Sequence, residues 1–169
     1  MAARPSPDRR TGRVAVGPLN VQVGTGALPF PIRAHLDDGR VVGCTPPPDL
    51  LAALDAERCG SSAAHFHAFL AGLPVREFLR QWTRLEVAVK VCDGEPGALL
   101  RGARDLLAGK TPPTPTGWTA RTSHLGDVVV TVAWKRRSRR RAERLRPASP
   151  PDVNVGDGRH PSSRREGAV

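Results

Sequence analysis

The sequence predicts an α+β fold: a small, mostly antiparallel sheet packed by three or four helices, with a disordered basic C-terminal tail. Three observations carry this reading. Short alternating apolar runs bounded by turn residues lie at both ends of residues 12–134, segments of helical period lie between them, and large apolar residues almost vanish from Lys135 onward. The 169-residue chain therefore divides into a disordered N-terminus (1–11), a single α+β domain (12–134) and a disordered Arg-rich tail (135–169).

The elements follow in order. Residues 13–17 (RVAVG) and 20–24 (NVQVG) alternate across Gly17 and Pro18 and form a strand pair. Ile32, Ala34 and Leu36 alternate with Arg33 and His35 up to Asp38 and Gly39, an Asp-Gly pair that favours a type I′ hairpin. Leu50, Leu51 and Leu54 share one side of a helix over 49–59, stopped by Gly60. A second helix is capped by Ser61 and Ser62 and has Phe66, Phe69, Leu70 and Leu73 as its core face. Pro74 opens a third, with Val75, Phe78, Leu79 and Trp82 inside and Arg76, Glu77, Arg80 and Gln81 outside. Leu85, Val87, Val89 and Val91 alternate with polar or small residues and read as a strand. Leu99, Leu100, Ala103, Leu106 and Leu107 define a last helix over 96–108, and 111–117 (TPPTPTG) is a stiff linker. Residues 118–122 and 127–134 form a closing hairpin whose second arm, DVVVTVAW, is apolar on both faces and so interior.

Charge singles out the tail. The chain carries a formal +10, and Lys135, Arg136, Arg137, Arg139, Arg140, Arg141, Arg144 and Arg146 stand within twelve residues against one acid, Glu143. A block of like charges that repels itself is suited to meeting a polyanion. It has no interleaved aromatic and too little apolar surface to fold alone, so its chemistry is phosphate neutralisation. Residues 63–84 also match the offsets of a helix-turn-helix, with AGLP as the turn, Arg76, Arg80 and Gln81 facing outward, and a wing starting at residue 85.

Catalytic and cofactor patterns are weak. His65 and His67 are two residues apart on a helix, which points their rings in opposing directions and argues against a shared metal. Asp37 and Asp38, and Asp93 and Glu95, are explained by turns and a helix start, while Gly24-Thr25-Gly26 lacks the third glycine of a dinucleotide loop. Ser123 and His124 lie in a loop, and neither Cys59 nor Cys92 has a nucleophile signature around it. No catalytic residue, metal or cofactor is assigned, and the balance leans away from an enzyme. The three widely spaced cysteines, with no apolar leader and no run of eighteen apolar residues, point to a cytoplasmic protein with no membrane partner. Two functions remain. In one, a small protein binds DNA or RNA, mainly at phosphates. In the other, a non-catalytic adaptor or oligomerisation module, such as a homodimer through an exposed sheet face, carries a tail that adds solubility or meets an acidic partner.

Overall fold

A computed structural model describes residues 12–26, 28–92 and 94–138. The order is β1 (Gly12–Val16), β2 (Leu19–Thr25), β3 (Ile32–His35), β4 (Arg40–Cys44), β5 (Leu50–Arg58), α1 (Ser62–Leu70), α2 (Val75–Val91), α3 (Pro96–Leu107), β6 (Thr119–Leu125) and β7 (Val128–Arg136). The fold is α+β, with two antiparallel sheets, β1-β2-β4-β3 and β5-β7-β6, and three helices among the described residues. None of these helices is long and apolar enough to cross a membrane.

The alternation of each strand sets the layers. In the first sheet Val14, Val21, Val23, Val42 and Ala34 line one face, and they meet Leu54, Ala56, Val128, Val130 and Val132 of the second sheet in a shared core. The opposite face of the second sheet carries the helices, with Val129 packed among Ala64, Ala68, Phe78, Leu79 and Leu106. The second sheet is thus the middle layer, and its central strand β7 is covered on both sides, as the doubly apolar DVVVTVAW implies. Two glycines permit close approaches. Gly17 turns β1 into β2 at φ 61° beneath the Trp134 ring, and a Cβ on Gly43 would meet the Phe30 Cβ at 2.7 Å.

Local signals hold where turn chemistry decides. Ser61 Oγ accepts the Ala64 N–H at 2.9 Å and caps α1. The β3–β4 hairpin forms, but with a three-residue loop instead of a type I′ pair: Gly39 N–H donates to the Leu36 carbonyl, Leu36 N–H donates to Arg40, and Gly39 has φ 82°.

Three expectations are corrected. Residues 49–59 are not a helix, because Leu50–Arg58 pairs residue by residue with β7, and Leu54 and Ala56 alternate into the inter-sheet core. Partners from the far end of the chain override the helical preference of Leu and Ala. Residues 85–91 are not a strand. With no breaker after Val75, α2 runs on to Val91, and Leu79, Thr83 and Val87 form one fully buried stripe at i, i+4, i+8. The aromatic face assigned to α1 is exposed: Phe66, Phe69 and Leu70 are 59%, 81% and 53% accessible, while small Ala64 and Ala68 face α2.

A polar seam runs through the helix–sheet interface. Asp55, Thr131 and Thr122 sit opposite one another across β5, β7 and β6, on the face turned to α2. Thr83 Oγ1 donates to the Leu79 carbonyl at 2.9 Å and lies 2.7 Å from Thr131 Oγ1, which is 2.7 Å from Thr122 Oγ1. Each hydroxyl has one proton, so the Thr83 bond to Leu79 sets the direction: Thr131 donates to Thr83 and Thr122 donates to Thr131.

Candidate nucleic-acid interface

The end of β7 holds the start of the basic run. Lys135 and Arg136 are its last two residues, opposite Leu51 and Leu50 of β5. Lys135 Nζ stands 4.7 Å from the centre of the half-buried Trp118 ring, a cation–π contact. Arg137 is tied down as well: its backbone N–H donates to the Asp49 carbonyl at 2.8 Å, and its Nε reaches the Leu50 carbonyl at 3.3 Å. Among the described residues none of these three cations has an acidic partner. Arg139, Arg140, Arg141, Arg144 and Arg146 lie outside the described residues.

Trp118 escaped the sequence reading, which found no aromatic among the basic residues. The signal was available in the hairpin register. Thr119 pairs with Trp134, so the residue before Thr119 is set beside Lys135.

On α2, Arg76 and Arg80 are exposed, as the outward face requires, and Gln81 is half-buried. Arg80 donates to both Glu77 oxygens at 3.0 and 2.9 Å, and Gln81 donates to Glu77 Oε1 at 2.9 Å. These bonds, the arginine's first, hold the Glu77 carboxyl below its usual range. Two of the three outward-facing residues of the helix-turn-helix reading are therefore engaged with an acid of their own helix. The turn is present at Ala71, Gly72, Leu73 and Pro74, with Gly72 at φ 64°, but the wing is not, since residues 85–91 continue α2.

The weaker candidates resolve into structural roles. Asp37 takes a bidentate bond from Arg58 at 2.7 and 3.0 Å, and Asp38 binds Arg40 at 2.8 Å. Arg40, buried, also makes a fork to Asp127 at 3.0 and 2.8 Å, which joins the first sheet to the β6–β7 turn and holds the Asp127 carboxyl below its usual range. Ser123 and His124 belong to strand β6 and not to a loop, so their side chains point to opposite faces. His65 and His67 are exposed on α1, the latter 6.1 Å from the Phe78 ring and 6.2 Å from the Trp82 ring. Cys44 is buried, which pushes its thiol up to about 11. Glu95 binds Arg101 at 2.7 Å, and Asp93 lies outside the described residues.

One cluster was not anticipated. Asp55 and Glu57 of β5 and Glu86 of α2 place carboxylate oxygens within 4.8 Å of one another, and Lys90 Nζ binds Asp55 Oδ1 at 2.6 Å and the Leu54 carbonyl at 3.2 Å. Burial, then the neighbouring Asp55 carboxyl, hold the Glu86 carboxyl well above the usual carboxylate range; burial does the same, less strongly, to Glu57. Comparison of the chain with known protein families, curated proteins and solved structures finds no match.

Proposed function

We propose that this protein associates with DNA or RNA chiefly through phosphate contacts, made first by Lys135, Arg136 and Arg137 and extended by the basic residues that follow. The end of β7 carries the reading. Three consecutive cations without acidic partners among the described residues leave the domain there, and the first lies on an aromatic face. The strand end would give a polyanion a defined place to meet the domain, and Trp118 would offer a flat surface on which an unpaired base can stack. Arg76, Arg80 and Gln81 of α2 are a second, weaker contact face, because Glu77 already engages two of them.

The test is fluorescence anisotropy with duplex DNA and single-stranded RNA across a salt series. Each duplex phosphate neutralised adds about 0.9 to the slope of log K against log salt. Removal of residues 139–169 leaves three of the eight cations of the run, so the slope should fall to about 3 or less. In the remainder, replacing Lys135, Arg136 and Arg137 with Gln should abolish binding, and Trp118→Ala should weaken single strands by about 1–3 kcal/mol more than duplex. Unchanged affinity and slope after truncation would defeat the proposal.

A second reading, an interaction module, draws on the exposed Phe66, Phe69 and Leu70 of α1 rather than on a sheet face. It predicts self-association in sedimentation that Phe69→Ser reduces. A monomer at every concentration, with no difference between variant and parent, counts against it.

A further inference from the structure

The carboxylates between β5 and α2 have a charge imbalance and an unmet polar atom. Asp55 is 6% exposed, and its Oδ2, the oxygen that Lys90 does not reach, is buried with no hydrogen-bond partner among the described residues. Such an atom is costly to leave alone, and a buried group of this kind marks either strain or an absent ligand. Three carboxylates face one ammonium, so with all three ionised two negative charges remain uncompensated, the charge of one divalent cation.

We propose that Asp55, Glu57 and Glu86 form a binding site for a divalent cation of calcium size. The chemistry agrees. Hard cations take carboxylate oxygens, and a set of three carboxylates suits Ca²⁺, because Mg²⁺ keeps several of its waters and is usually held by one or two. The three carboxylate oxygens all lie within 4.8 Å of one another, close enough to share one ion. The site is reachable, because β5 is an edge strand, Glu57 and Glu86 are half-buried, and the Lys90 side chain is 45% exposed. Lys90 is then the local competitor: its ammonium occupies the Asp55 oxygen on one side, and its flexible stem allows it to swing out when a cation arrives. The cation would clamp the edge strand to α2 through ligands from both elements.

The experiment is calorimetric titration of the chelator-treated full chain with Ca²⁺ and separately with Mg²⁺, with circular dichroism to verify folding. One saturable Ca²⁺ site, tighter than Mg²⁺, is expected. Glu57→Gln and Glu86→Gln should each weaken it roughly tenfold or more, and Lys90→Met should strengthen it. Glu57→Gln keeps the test sound should substitution at the more buried positions impair folding. No saturable Ca²⁺ binding at millimolar concentration would overturn the proposal and leave a proton shared between Glu86 and Asp55 as the partner of Oδ2. Binding unchanged in folded Glu57→Gln and Glu86→Gln proteins would overturn it equally, by placing the ion elsewhere.

Discussion

Thr131→Val tests the hydroxyl chain between sheet and helix. Valine keeps the shape and removes the central hydroxyl, which is fully buried and takes part in two bonds of 2.7 Å. Each such bond is worth about 0.5–1.5 kcal/mol net, so losing both should cost about 2 kcal/mol. Thr83 keeps its bond to the Leu79 carbonyl, and the half-buried Thr122 can turn to water, which limits the penalty. Thr83→Val should cost less, about 1 kcal/mol, because the Thr131 hydroxyl can reverse and donate to Thr122, whose own proton then turns outward. The double variant should cost less than the sum of the two single changes, since both delete the same Thr83–Thr131 bond. Urea unfolding followed by circular dichroism reads these differences as shifts of midpoint at constant slope. A Thr131→Val protein as stable as the parent, or a Thr83→Val protein less stable than Thr131→Val, would refute the hydroxyl chain as described.

Two further outcomes follow from contrasts already described. Phe78→Ala should cost about 3–5 kcal/mol and Phe69→Ala under about 0.5 kcal/mol, although both were assigned to a core face from spacing; equal costs in the same urea assay would contradict the placement of α1. The Arg40 bond depresses the folded-state pKa of Asp127, so its stabilisation is complete above the unfolded carboxylate value of about 3.9 and is lost as pH falls through the depressed folded value. Asp127→Asn should therefore flatten part of the fall in urea midpoint between neutral pH and the acid limb, and an unchanged fall would show that Asp127 does not contribute.

The parts of the fold legible in the sequence are those that local chemistry decides. Gly17, the Asp38-Gly39 pair and Ser61 each announce a turn or a cap that forms where expected. The middle of the chain is written against its propensities. β5 is rich in Leu and Ala, which favour helices, whereas the end of α2 is rich in Val, which favours strands, and each is fixed by residues remote in sequence. Those two inversions also hid the carboxylate cluster. With 49–59 taken as helix and 85–92 as strand, Asp55, Glu57 and Glu86 had no common face to share. The exposed aromatics of α1 have a similar origin, since spacing identifies an apolar stripe, yet the helix turns small Ala64 and Ala68 toward the bulk of Phe78 and Leu79. The basic run was plain from composition, while its aromatic neighbour needed the β6–β7 register.

The position of β7 has a consequence for how the chain is made. Arg58 pairs with Val128 and Leu50 with Arg136, so β5 leaves the ribosome long before its partner exists. Until β7 is synthesised, the middle layer has no central strand and α2 has only an unpaired edge to lie on. The first sheet can close early, because all four of its strands lie within residues 12–44. The rest is then expected to assemble in one late step, with the apolar sides of β5 and α2 open to chaperones or to wrong partners until it does. A nascent-chain protease assay should therefore find the helical region cleavable until residues 128–136 have emerged.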